Sequence, residues 1–366
     1  MFQNYETLKL FVPDPGLVQA AILGILAVLT IASLARAKRT ELLDRSQTDQ
    51  IKGLAALMVI QGHLWVHVSS TKPGIIMSGD GLAIFLALSG FGLTVSSGGR
   101  CPEWRSFASH RLLRVMVPYW VTTLLLLVLD GVLLGRWIGV GDLLGTLIGV
   151  NITPATRGID YVRWFVTFML LWYLVFYIAM FLRDKARVPP VAFLFGAAVA
   201  ILLLSYYVFH FGSKFLAFPA GCALASLRDR ARPILASRRW LAPVGGLGLL
   251  AAFAMLKWLV PVLLPQQRPY LLVVLAEEAS SLVLAGGVVL LLAAMGSASR
   301  TSGFLQLCGA VSYELILLHG AFLVKYNPVF TLVGVRFLPV GFVILLGALL
   351  LLSLGLRRGT AALGAR

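Results

Sequence analysis

The sequence predicts an all-α membrane protein, a polytopic bundle of about eleven transmembrane helices. Three observations lead there. Hydrophobic residues make up 59% of the chain, only 13% are charged, and the mean hydropathy is +0.90. A soluble chain carries roughly 25% charge. Apolar runs of about 20 residues, each long enough to cross a bilayer as a helix, recur along the whole length. The runs lack the alternating polarity of a membrane β-barrel, and no soluble domain of ordinary size fits between them.

The predicted spans can be taken in order. The first, 17–35, is an apolar run that precedes the main body of the chain. The second, 51–69, carries Lys52, His63 and His67. The third, 75–97, has Asp80 near one end and Ser89 within it. The fourth, 115–134, is entered by Pro118, which is expected to kink it, and holds Asp130. The fifth, 164–182, is rich in aromatic residues. The sixth is 189–209, and the seventh, 214–227, is short for a full crossing. The eighth is 241–264, and the ninth, 270–295, contains Glu277 and Glu278. The tenth, 304–325, contains Ser312, Glu314 and His319, and the eleventh is 329–354. The stretch 138–150 is apolar but holds Asp142 and several glycines, and reads as an interfacial or re-entrant piece. In domain terms, 1–44 is an N-terminal segment with one extra span, 45–356 the main membrane domain, and 357–366 a cytoplasmic tail.

A net charge of +16 suggests nucleic acid at first sight. The positions of the basic residues argue otherwise. The segments "ARAKRTELLDR", "GGRCPEWRSFASHRLLR", "LRDKAR", "SLRDRARPILASRRW" and "LRRGTAALGAR" fall on alternate connections, and with Lys52 and Arg300 they hold 21 of the 31 Lys and Arg. That asymmetry is the positive-inside signal. It predicts a multi-pass protein of the plasma (inner) membrane, with its N-terminus outside, its C-terminus in the cytoplasm and no nucleic-acid partner. The N-terminus lacks the basic n-region and cleavage site of a signal peptide. Cys101, Cys222 and Cys308 are widely separated and form neither a disulfide framework nor a metal spacing.

The second span raises the question of chemistry. Lys52 stands at its cytoplasmic mouth and His63 eleven residues on, about three turns plus 20°. The two share one face, about 16 Å apart, so His63 sits near the bilayer midplane. A polar group there is costly unless it meets a partner or a cavity. Two readings compete: a packing histidine with one interhelical hydrogen bond, or a functional imidazole. The shared face and the company of other polar groups favour the second. For Lys52 alone, a snorkelling anchor explains as much. His67 lies one turn beyond His63, but no third ligand accompanies the pair, so no metal site is expected.

The tenth span repeats the theme. Ser312 and His319 are close to two turns apart and share a face. Glu314, near midplane, is a candidate partner for an imidazole. Asp80, Asp130, Glu277 and Glu278 all lie toward the outer side, whereas the arginines collect inside. The pattern suggests two mouths: a cationic one facing the cytoplasm and an acid/imidazole one opening outward. Arg111 and Arg114 open the fourth span on one helix face. They read either as positive-inside anchors or as a phosphate clamp, since guanidinium groups bind phosphate bidentately.

Five stretches resemble the polytopic acyltransferase-3 family. They are "IKGLAALMVIQGH", "FLALSGFGLT", "HRLLRVMVPYW", "WFVTFMLLWYLVFY" and "SYELILLHG", and they fall in the family's order over roughly residues 45 to 355. The resemblance implies transfer of an acyl group, often acetyl, from cytoplasmic acyl-CoA to a hydroxyl of a glycan or lipid-linked acceptor at the bilayer. No tightly bound cofactor is implied; acyl-CoA is a co-substrate. It further implies His63 as general base or transient acyl carrier, with His319 and Glu314 beside it as catalytic candidates. Lys52, Arg111 and Arg114 would hold the CoA phosphates, and Ser89, Trp164, Ser312 and Asp80 would line the substrate site. For Ser89 and Gly90, close helix packing by small residues is favoured over a catalytic role. The chain departs from the family pattern in its extra span 17–35, in Glu314 where a small residue is common, and in Ile316 where a second Tyr is common. The rival function is a proton-coupled transporter using the same intramembrane acids and histidines. No internal repeat of the kind such carriers often have is visible.

Overall fold

The computed structural model describes residues 10–12, 14–36, 42–69, 78–204, 214–263, 270–333 and 338–362. Their α-helices, in chain order, begin with α1 Pro15–Ala32, α2 Arg45–His67, α3 Ser78–Ser97, α4 Trp104–Leu129 and α5 Val140–Leu147. They continue with α6 Pro154–Ile159, α7 Trp164–Ala186, α8 Pro190–Leu204, α9 Ala217–Ser237 and α10 Leu241–Leu263. The last are α11 Tyr270–Ser297, α12 Gly303–Ala310, α13 Ser312–Gly320, α14 Pro328–Val333 and α15 Leu338–Ala362. Turns of π-helix, Asp130–Leu134 and Ala321–Lys325, extend α4 and α13. Local chemistry marks several starts. Asp14 caps α1 just before Pro15, Thr153 caps α6 before Pro154, and Ser302 caps α12. Each side-chain oxygen accepts an otherwise orphaned backbone N–H.

The chain is a multi-pass helical membrane protein. Among the described residues, α1, α3, α4, α7, α11 and α15 are each long and apolar enough to cross a bilayer, and the count reaches eight if two bent pairs are each one span. The expected eleven differ from this in identifiable places. α2 is one continuous 23-residue helix, but its polar first turns and histidines hold its hydropathy down. α8 is described only to Leu204, and the end of the predicted sixth span lies outside the described residues. The predicted seventh span is the first part of α9, which turns by 111° into α10. The tenth is broken by 68° between α12 and α13.

The basic connections gather at one end. Leu34–Arg36 pairs antiparallel with Arg300–Ser302, and Ser33 Oγ lies 2.7 Å from Ser302 Oγ. Arg228 Nε donates to Leu42 O at 3.2 Å. Asp184 accepts from Cys101 N at 2.9 Å, and Arg357 donates to Ala310 O. At the opposite end Leu10–Phe11 pairs in parallel with Val68–Ser69, and Lys325 bonds Asp130 and the carbonyls of Gly158 and Ile159.

The segment around α5 folds back against α4. Trp120 Nε1 donates to Leu147 O at 2.6 Å, and the Tyr119 hydroxyl lies 2.9 Å from Thr146 O and 2.8 Å from Asn151 Oδ1. Tyr119 precedes Asp130 by eleven residues, about 16 Å along α4. The segment therefore reaches back beside the middle of that helix.

Helices in lipid gain little from the hydrophobic effect and associate by close packing at small residues. A Cβ at Gly53 on α2 would overlap Leu305 O of α12, and one at Gly309 on α12 would overlap Asp49 O of α2. α3 and α9 meet in the same way, Gly90 against Phe218 O and Gly221 against Ala87 O. These contacts fix α2 and α3, the helices that carry His63, Asp80 and Ser89, against their neighbours. Trp172 of α7 in turn stacks on Phe218 of α9 with centroids 4.9 Å apart.

Candidate active site

The site is built by α2, α3, α7 and α13, joined by residues from α4, α10 and α11. His63 stands on α2 and His319 on α13, and the fold brings them into direct contact. Nδ1 of His63 is 2.6 Å from Nε2 of His319. The rings are nearly parallel, 9° apart, and Tyr161 meets His63 edge-on with centroids 5.1 Å apart. His319 is fully buried, whereas His63 is partly exposed.

The contacts of His319 assign the protons. Its Nδ1 lies 2.9 Å from Ile316 O and 3.2 Å from Leu315 O. Carbonyls only accept, so this Nδ1 carries the hydrogen. With both rings neutral, Nε2 of His319 is the lone-pair nitrogen, and Nδ1–H of His63 donates to it. Nε2 of His63 is then the basic nitrogen of the pair. His319 thus orients His63 and can stabilise a positive charge on it, as the third member of a nucleophile–base–orienter set does.

Two cavities form the site, and the His63–His319 pair lines one of them. That one, called outer because it lies away from the basic connections, has a volume of about 320 Å³ and is lined by His63, His319, Trp164, Asp80, Glu277, Lys214 and Lys257, among others. Its polar wall is a chain of contacts: Lys257 Nζ is 3.2 Å from Asp80 Oδ2, Ser281 Oγ donates to Asp80 Oδ1 at 2.7 Å, and Lys214 Nζ donates to Ser281 Oγ at 3.0 Å. The inner one, about 510 Å³, is lined by Arg45, Lys52, Arg111, Arg114 and Arg357, with Ser89, Tyr173, Ser312, Tyr313 and Glu314. Phe165 and Ile316 line both.

The sequence-derived candidates therefore divide into two groups. His63, His319, Trp164 and Asp80 meet at the outer cavity. Lys52, Arg111, Arg114, Ser89 and Ser312 meet at the inner one. Glu314, five residues before His319 on α13, lines the inner cavity. Lys52 is 3.0 Å from Asp49, one turn back. Arg111 donates to Ser96 Oγ at 2.9 Å, and Ser89 Oγ to the Tyr173 hydroxyl at 3.3 Å. Sequence reasoning missed Arg45 and Arg357, which looked like topology signals at helix ends. It also passed over Lys214 and Lys257, which lie outside the basic segments. Glu277, in the ninth span next to the one that holds Lys257, was the available hint.

A further buried group lies next to His319, beyond Gly320. Lys325, at the end of one π-turn, pairs with Asp130, at the start of the other. Tyr326 places its hydroxyl 2.6 Å from Asp130 Oδ1. Single π-turns of this kind are frequent at functional sites.

Comparison with known families matches residues 46–358 to a model described as an acyltransferase domain, that of the acyltransferase-3 family. The match takes in the outer cavity and all of the inner cavity's lining but Arg45 and Thr360, and leaves α1 outside. No curated protein and no solved structure matches the chain.

Proposed function

The chain belongs to the acyltransferase-3 family, and on that premise we propose that it moves an acyl group, acetyl in the first instance, from acyl-CoA in the inner cavity to a hydroxyl of a glycan or lipid-linked acceptor in the outer cavity. The observation that carries this reading is the His63–His319 pair, set where a cavity ringed by cations adjoins one lined by acids, lysines and an indole.

In this account Arg45, Lys52, Arg111, Arg114 and Arg357 hold the phosphates of CoA. Charge-assisted contacts to phosphate are the strong ones available to a protein. The inner cavity is at the end where the basic connections gather, so the positive-inside pattern turns it toward the cytoplasm. The N-terminus then lies outside the plasma (inner) membrane and the C-terminus inside.

His63 Nε2 takes the proton of the acceptor hydroxyl as the oxygen attacks the thioester carbonyl carbon. The tetrahedral intermediate expels the CoA sulfur as the C–S bond breaks. The imidazolium returns the proton to the thiolate, giving an ester and free CoA. His319 holds the Nδ1 hydrogen of His63 throughout, so the ring keeps one tautomer and one orientation. Trp164, Asp80 and the lysines of the outer wall suit a polyhydroxylated acceptor, offering an aromatic face with hydrogen-bond donors and acceptors.

The test uses purified protein in nanodiscs with radiolabelled acetyl-CoA and membrane glycan extract. Label passed to an acceptor supports the reading. If acetyl-CoA neither binds nor reacts, the Lys257–Asp80–Ser281–Lys214 chain is better read as part of a proton-coupled transport path.

A further inference from the structure

The four helices that build the site each line both cavities, but at different heights. On α3, Asp80 faces the outer cavity and Ser89 the inner one. On α7, Trp164 faces outward and Tyr173 inward. On α13, His319 faces outward and Ser312 inward. The side chains that line both cavities are Phe165 and Ile316, and they are only 5% and 4% exposed.

Their position along the helix sets a thickness. Ile316 lies four residues after Ser312 and three before His319, rises of about 6 Å and about 4.5 Å. The partition between the cation-ringed space and the catalytic imidazoles is therefore about one side chain deep, comparable in length to a two-carbon acyl group. It is also chemically plain. Phenyl and sec-butyl groups offer no donor, acceptor or charge. A phosphate or a hydrated sugar entering between them would lose its hydrogen bonds without replacement, at a cost of several kcal/mol. An acyl carbon chain loses nothing there.

We propose that Phe165 and Ile316 form an apolar septum that admits the acyl group of the thioester to His63 while holding CoA phosphates on one side and the acceptor on the other, and that its width selects acyl chain length. This inference rests on the acyltransferase reading above and adds its specificity-determining residues. Ile316 is also the residue whose carbonyl accepts from His319 Nδ1. The septum and the orientation of the imidazole pair thus share one turn of α13, so the chain passing the septum arrives beside the base. Phe165, directly after Trp164, sits at the matching level on α7.

The experiment measures transfer from acetyl-CoA and from butyryl-CoA to membrane glycan extract, with the whole protein in nanodiscs. Phe165→Ala is expected to raise the butyryl-to-acetyl rate ratio by about tenfold or more, the scale on which one or two methylenes are discriminated in an apolar pocket. Ile316→Phe is expected to lower it. If Phe165→Ala does not fold, Phe165→Leu and Ile316→Val give the same sign with a smaller shift. A wild-type protein that transfers acyl groups, with a ratio unmoved in every folded variant, overturns the septum alone. A wild-type protein that transfers neither group overturns the function reading and the septum with it.

Discussion

Nδ1 of His63 and Nε2 of His319 lie 2.6 Å apart, although 256 residues separate them in the chain. Because His319 Nδ1 is committed to the carbonyls of its own helix, the contact dictates which nitrogen of His63 is basic. The first prediction follows from that. His63→Ala should lower transfer by a factor of about 10² to 10⁴, the usual contribution of a general base, with the protein still inserted and monodisperse. His319→Ala should lower kcat with little change in the KM for acyl-CoA, because the base loses its orientation and not the donor its binding site. His319→Gln, which keeps an acceptor, should recover part of the rate. Steady-state kinetics of the three variants decide it, and equal rates for His319→Ala and wild type would remove His319 from the mechanism.

The inner cavity predicts a different kinetic signature. Lys52→Ala and Arg114→Ala should raise the apparent KM for acetyl-CoA, each by about tenfold or more, since a hydrogen bond to a charged group contributes roughly 1.5–3 kcal/mol. Arg45→Ala and Arg357→Ala should act in the same direction. Titration of acetyl-CoA against each variant is the check. An unchanged apparent affinity would return these residues to the role of topology anchors.

The Asp130–Lys325 pair predicts a stability effect. Both side chains are 8% exposed, and removing one partner of a buried pair costs about 3–5 kcal/mol because a lone charge remains. Asp130→Asn and Lys325→Met should each lower the apparent Tm in detergent, and the double variant should recover much of the loss. Single variants as stable as wild type would show the pair to be better solvated than its burial indicates.

Close packing predicts a fourth outcome. Gly53→Ala or Gly309→Ala places a methyl group against the backbone of the facing helix, where no side-chain rotation relieves it. Overpacking typically costs about 1–3 kcal/mol, and here α2 must move away from α12. The yield of monodisperse protein should fall, whereas Gly92→Ala, whose Cβ meets nothing within 4 Å, should be neutral. Size-exclusion profiles of the three variants test this directly.

Much of the site could be read from spacing within single helices. Eleven residues put Lys52 and His63 on one face of α2, and seven put Ser312 and His319 on one face of α13. The resemblance of "HRLLRVMVPYW" and its companions to a known family was likewise local. What spacing cannot supply is the order in which helices pack. The His63–His319 contact, the division of the candidates between two cavities, and the placing of Glu314 with the cations all depend on that order. Lys214 and Lys257 escaped notice because a lone lysine near an apolar run is usually an anchor, and only the juxtaposition of α3, α10 and α11 links both to Asp80, Lys257 directly and Lys214 through Ser281. The spans 51–69 and 304–325 were legible as apolar runs, and they correspond to α2 and to the bent pair α12–α13; the 68° break in the latter is not visible in hydropathy.

The measurement that bears most directly on the central claim uses sealed proteoliposomes. Radiolabelled acetyl-CoA is supplied to one face and acceptor extract to the other, with wild-type protein and His63→Ala compared side by side. The account predicts that label reaches the acceptor across the bilayer in wild type, that free CoA stays on the donor side in matching amount, and that both signals vanish in His63→Ala. Label transfer that survives in His63→Ala, or that requires donor and acceptor on the same face, would contradict it.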